Sequence, residues 1–319
     1  MQCLQDARLV AKLAFLSPTN QAHLLRYMDA LTARQYARST VEAIVTVLKR
    51  LLRHLPPARS ATLATELTLT ARQDITDFVR LAQAAGLAPS TINLSLSLLA
   101  EFFDFLCEEG MMLSQPVSKR RQRLLAPTTL PKPMAEADLV RFFKAINLQR
   151  DRLLFLLMLR CGLRVSEACA LTWDDCDLAT SSLRIDDGKG HVDRIVYLSP
   201  DVERELKLWR ARAGAQPYLF PSRKGGHIGR RNAFIMMQKY LQAAGVGKRY
   251  SPHCLRHTFA TQLLNAGVTL EVLKELMGHR SIQNTLRYTQ LYEATKRRQY
   301  DEAMASVERQ QLTATGGTR

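Results

Sequence analysis

Apolar positions in the first third of the chain recur every three or four residues. Between Pro89 and Gly110 the residues Ile92, Leu96, Leu99, Phe103 and Leu106 make one stripe, which predicts an amphipathic helix opened by Pro89-Ser90. Ser17-Pro18 and Ser39-Thr40 are start signals for two earlier helices, and a further helical pattern spans Asp74 to Ala85 and stops at Gly86. Residues 1–113 are therefore expected to form a small helical bundle. From Ser114 to Pro133 the periodicity fails, and the stretch carries Lys119, Arg120, Arg121, Arg123 and four prolines. It reads as a basic linker, either a solvated spacer or a segment lying along a phosphate backbone.

A second domain is expected over 134–319. Helical patterns cover Ala135 to Ile146, Arg150 to Arg160, Pro200 to Arg212 and Arg230 to Ala244. The apolar run Leu153 to Leu159 is far shorter than the ~20 residues of a bilayer span and predicts a core helix. Alternation over Ser182 to Asp186 and Asp193 to Leu198, around Gly188-Lys189-Gly190, predicts a hairpin with Lys189 at or beside its tip. The stretch after Tyr288, to about Arg309, reads as one more helix before a Thr/Gly tail.

Charge narrows the partner. The 45 Lys plus Arg against 29 Asp plus Glu give a net charge of +16, which makes nucleic acid the leading candidate partner, although an acidic membrane surface or plain solubility would explain the charge alone about as often. The six cysteines, with no CxxC pair, fit a reducing compartment and core packing. The N-terminal residues lack a secretory pattern, so a cytoplasmic protein with no membrane partner is expected.

The most informative segment is Ser251 to Thr261. Ser251 as cap and Pro252 as first-turn proline start a helix that Gly267 ends, and at about 100° per residue His253, Arg256, His257 and Ala260 share one face. Leu255, Phe259 and Leu263 form a separate apolar stripe, so the helix is expected to present His253 and Arg256 away from the core. Taken alone, the histidines could be satisfied structural residues. Their i, i+4 spacing also fits a zinc helix, but Cys254 stands where a metalloprotease needs its Glu and no third ligand is recognisable.

This segment resembles the HxxR box of tyrosine recombinases, the phage integrases. Cys161-Gly162-Leu163-Arg164-Val165-Ser166-Glu167 is similar to the family's TGLRxSE segment, Leu276-Met277-Gly278-His279 resembles its LGH box, and Tyr288 follows His279 at the family's spacing to the nucleophile. Lys189 lies in the GKG turn where the family keeps its β-hairpin lysine. Short strings recur by chance, but five in one order do not.

The resemblance implies a mainly α protein: an N-terminal helical core-binding domain and a mostly helical catalytic domain with a small antiparallel sheet, closing as a clamp on duplex DNA. It implies site-specific recombination through a 3′-phosphotyrosine and a Holliday junction, by a homotetramer that joins two core sites and exchanges C-terminal helices, with an accessory protein in some systems. Breaking a phosphodiester needs a nucleophile, neutralised non-bridging oxygens and a proton for the leaving oxygen. Tyr288 would be the nucleophile, with Tyr292 a rival out of register. Arg164 and Arg256 would clamp the phosphate, His253 would act as acid/base, Lys189 would protonate the 5′ oxygen, His279 would bond the phosphate and Glu167 would orient its neighbours. No metal or other cofactor is expected, because the phosphotyrosine keeps the bond energy. Ser90, Asn93, Arg230, Arg231 and the linker's Lys119, Arg120, Arg121 and Arg123 are candidates for DNA contact. A type IB topoisomerase or a non-catalytic DNA-binding protein of the same fold are the alternatives.

Overall fold

The computed structural model describes residues 11–36, 38–126, 131–186, 193–279, 281–286, 288 and scattered positions between 297 and 308. The chain divides into two compact units, Met1–Thr128 and Thr129–Arg319.

The first unit consists of helices α1 (Pro18–Ala33), α2 (Arg38–His54), α3 (Pro57–Thr65), α4 (Arg72–Ala84), α5 (Pro89–Glu108) and the short α6 (Lys119–Gln122). α1 starts where the sequence signals it, with the Ser17 hydroxyl accepting the Asn20 N–H at 3.2 Å. α3 is additional to the helices predicted from the sequence. Pro57 occupies the first turn, where no N–H is needed, and Leu63 anchors the helix in the core. By length and composition α5 could cross a membrane, but its stripe Ile92, Leu96, Leu99, Phe103 and Leu106 is 0–2% exposed, which makes it the core helix of the bundle.

The first part of the expected linker packs onto this bundle. Val117 is buried in its core and Leu124 packs against it. The Asn93 amide donates to the Leu124 carbonyl and accepts the Leu124 N–H, both at 2.8 Å, while Gln122 donates to the Arg72 carbonyl and the Thr76 hydroxyl. Periodicity cannot reveal anchoring that depends on single side chains.

The second unit contains α7 (Glu136–Ala145), α8 (Gln149–Arg160), α9 (Val165–Ala170), strands β1 (Cys176–Asp177), β2 (Ser182–Ile185) and β3 (Arg194–Tyr197), then α10 (Pro200–Ala213), α11 (Arg230–Ala243), α12 (Pro252–Asn265), α13 (Leu270–Met277) and α14 (Gln283–Leu286). Leu153 to Leu159 are all 0–5% exposed, and α8 packs against both α10 and α12. The strands form an antiparallel sheet in the order β1-β2-β3, pairing Leu183 with Val196 and Ile185 with Arg194. The expected hairpin is therefore present, but Lys189 lies outside the described residues.

Polar ties fix α12 in place. Thr258 Oγ1 accepts the Met134 N–H at 2.8 Å, and Tyr250, just before the helix, donates its hydroxyl to Asp138 at 2.8 Å. At the end of α8, Gly162 has a left-handed φ of 64°, and a Cβ there would lie 2.4 Å from the Phe259 ring. Only glycine lets the chain turn towards α9 while α12 packs this closely.

Candidate active site

Glu167 is the hub of the site. The first turn of α9 buries its carboxylate to 8% side-chain exposure and leads it back onto the Arg164 N–H at 2.7 Å. Arg164 Nη1 donates to the same carboxylate, Arg194 adds two bonds at 2.7 and 3.1 Å, and Arg256 Nη1 lies 3.9 Å away. Among the described residues, three guanidiniums face one carboxylate.

These arginines also close the end of α13. Arg194 Nε donates to the Leu276 carbonyl at 3.0 Å, Arg256 Nη2 to Met277 and Arg164 Nη2 to Gly278 at 2.7 Å. The carbonyl end of a helix carries partial negative charge, so cations there are favoured. Gly278 is left-handed at φ 59°, and a Cβ on it would stand 2.9 Å from Arg194 Nη1. This explains the glycine of the Leu276 to His279 box.

Arg256 corrects one expectation. It does not project from the core but is 5% exposed, with Nη1 donating to the Gly162 carbonyl at 2.5 Å. Around Arg256 that helix face is covered by the end of α8 and the end of α13, whereas His253 on the same face is exposed as expected. A second detail differs at the helix start, where the Ser251 hydroxyl makes no bond to the helix amides and the Cys254 sulfur instead accepts the Ser251 N–H at 3.5 Å.

Burial would raise the Glu167 pKa, but the hydrogen bond and charge of Arg194, with those of Arg164, hold it at about 2. Desolvation and the charge of Arg164 bring Arg256 down to about 10, so it remains cationic at neutral pH. Desolvation and the charges of Arg256, Arg164 and Arg230 lower the His253 pKa below 6.5. At neutral pH His253 is a neutral imidazole able to accept a proton.

His279 and Tyr288 follow α13. His279 Nδ1 shares a 2.9 Å hydrogen bond with Thr285 Oγ1, and Thr285 is fully buried. Tyr288 is 2% exposed and packs among Phe259, Leu264, Leu273 and Met277. Its hydroxyl shares a 2.7 Å hydrogen bond with His257 Nδ1, as a buried phenol requires.

Arg164, Glu167 and Arg256 thus converge, with His253 and Arg230 within electrostatic reach. Lys189 and Tyr292 lie outside the described residues. Arg230 and Arg231 are exposed on the first turn of α11. In the first unit, Ser90, Arg120, Arg121 and Arg123 are exposed, whereas both ends of the Asn93 amide are taken up by Leu124.

Two residues were missed by sequence reasoning. Arg194 had a readable signal: it stands at an inward position of β3, alternating with exposed Ile195 and Tyr197, and a buried arginine needs a buried carboxylate. His257 was placed on the right helix face, but nothing in the sequence pairs it with Tyr288.

Comparison with known proteins accounts for both units. Residues 132–295 match the model described as "Phage integrase family", and residues 24–110 match "Phage integrase, N-terminal SAM-like domain". The chain is 32% identical over 243 residues to tyrosine recombinase XerC of Xanthomonas campestris pv. campestris, covering 74% of each chain. It is 34% identical over 230 residues to tyrosine recombinase XerA of Pyrococcus furiosus, covering 70% of this chain and 77% of the relative. Among solved structures, a lambda integrase dimer bound to a COC′ core site superposes with a TM-score of 0.67 at 18% identity, over 89% of this chain and 81% of that one. A lambda integrase tetramer bound to a Holliday junction superposes with a TM-score of 0.64 at 19% identity, over 82% of this chain and 77% of that one. At these identities the superpositions speak for the fold.

Proposed function

The chain belongs to the phage integrase family of tyrosine recombinases, and on that premise we propose how its own residues cut and rejoin DNA. The observation that carries the reading is the cluster of three arginines around Glu167, whose Arg164 and Arg256, together with Arg230, act electrostatically on His253. Paired N–H donors of this kind suit the non-bridging oxygens of a phosphodiester.

Tyr288 Oη attacks the phosphorus and the bond to the 5′ oxygen breaks. The phenol proton passes to neutral His253, and Lys189 supplies a proton to the leaving 5′ oxygen. Arg164 and Arg256 hold the charge that develops on the phosphate, and His279 donates to it. The resulting 3′-phosphotyrosine keeps the bond energy, so a 5′ hydroxyl from a second strand reverses the step without ATP or metal. In the described pose Tyr288 is buried against His257, so the phenol must leave that pocket before its oxygen meets a phosphate.

The substrate of this reading is duplex DNA bearing a specific core site, in the cytoplasm or on a bacterial nucleoid. Four copies joining two sites through exchanged C-terminal helices complete it, by analogy with relatives solved as a dimer on a core site and as a tetramer on a junction.

The roles separate on a nicked duplex in which the fragment after the scissile phosphate diffuses away and traps the covalent complex. Lys189→Ala is expected to be slow with a normal 5′ oxygen and largely restored by a 5′-thio leaving group, whose lower pKa removes the need for an acid. Arg164→Ala and Arg256→Ala should gain no comparable rescue. Equal rescue of all three would overturn the division of labour. Efficient relaxation of plasmids without a core site, and no strand exchange between two sites, would favour the topoisomerase alternative.

A further inference from the structure

β3 carries an arginine where its alternation calls for an apolar residue. Arg194 is 8% exposed, its neighbours Ile195 and Tyr197 face outward, and Val196 is buried. Placing a guanidinium there is costly unless its charge and donors are matched. They are matched twice over, by both oxygens of Glu167 at 2.7 and 3.1 Å and by the Leu276 carbonyl at 3.0 Å.

The consequence falls on the other two arginines. Glu167 also accepts from the backbone and guanidinium of Arg164 and lies 3.9 Å from Arg256. If Arg194 were absent, a buried carboxylate would have to draw its compensation from those two groups alone. Both are needed at the phosphate, and both are also tied to the end of α13, at Gly278 and Met277. Movement of either towards Glu167 would shift the segment that leads to His279.

We propose that Arg194 is a positioning residue for strand cleavage: it takes up the charge of Glu167 from β3 and locks the end of α13, so that Arg164 and Arg256 stay directed to the scissile phosphate. This rests on the phosphate-binding role assigned to Arg164 and Arg256 above. Gly278 belongs to the same device, because a side chain there would collide with the Arg194 guanidinium.

The test is a double-mutant comparison on the nicked duplex, measuring the rate of covalent-complex formation and the affinity for DNA separately, with folding checked by thermal unfolding. Arg194→Met should slow adduct formation on the order of 10–100-fold, the scale of a misplaced catalytic group, while changing DNA affinity little. Glu167→Gln combined with Arg194→Met removes both charges and should cleave at least about tenfold faster than Arg194→Met alone, since no orphaned carboxylate then pulls on Arg164 and Arg256. If Arg194→Met fails to fold and the double variant folds and cleaves, the compensation is demonstrated by that rescue. Wild-type cleavage by Arg194→Met, or a folded double variant no faster than folded Arg194→Met, would overturn the proposal. Absence of any adduct from the unaltered protein would instead contradict the proposed function, so the two failures are distinguishable.

Discussion

Single side chains explain why this site could be assigned residue by residue and yet not assembled. Arg164, Glu167, His253, Arg256, His279 and Tyr288 could be proposed from the sequence because each stands in a short motif. The partners that hold them could not, since the Glu167–Arg194 pair joins residues 27 apart and the His257–Tyr288 bond joins residues 31 apart. The lowered pKa of His253 gives a prediction at this scale. A histidine disfavoured as a cation by partial burial and by neighbouring arginines loses its base form only as pH falls through a folded value below 6.5. The second-order rate of adduct formation at sub-saturating DNA, which reports the free enzyme, should therefore fall on acidification with a midpoint below pH 6.5. His253→Gln should be slower and should lack that acid limb. A limb centred above 6.5 that disappears in His253→Gln would show the shift to be in the wrong direction. By the same sign, any stability contributed by neutral His253 is present above 6.5 and is lost on acidification.

Elements were legible where they are long and amphipathic. α5, α10, α11 and the β2–β3 hairpin follow their apolar periods, α8 shows as a continuous apolar run, and α12 is marked by its Ser251-Pro252 start and Gly267 stop. α9, α13 and α3 span six, eight and nine residues, too short for a period to declare itself. The orientation of α12 was misread because its apolar stripe showed one buried face, while Arg256 is buried on another by backbone carbonyls that carry no sequence signature. Close packing at this junction is testable. In Gly162→Ala the new methyl would meet the Phe259 ring at 2.4 Å on a backbone with φ 64°, so a loss of about 1–3 kcal/mol of stability is expected. Thermal or urea unfolding measures it, and an unchanged midpoint would mean that α8 and α12 are packed less tightly than described.

At the scale of the whole molecule, the net charge of +16 and the exposed Arg120, Arg121, Arg123, Arg230 and Arg231 predict binding governed by counterion release. Affinity for duplex DNA should fall at least about 10³-fold between 50 and 200 mM salt if six or more phosphates are contacted. Neutralising Lys119, Arg120, Arg121 and Arg123 together should reduce the log–log slope by about one for each side chain that touches phosphate. An unchanged slope would leave α6 with a packing role only. The central claim, that Tyr288 carries the DNA strand, has a more direct measurement. The complex trapped on a nicked core site is digested with protease and nuclease, and the peptide bearing the nucleotide is identified by mass spectrometry. The account predicts the adduct on Tyr288, its loss in Tyr288→Phe with DNA binding retained, and its persistence in Tyr292→Phe. An adduct on Tyr292, or one that survives in Tyr288→Phe, would contradict it.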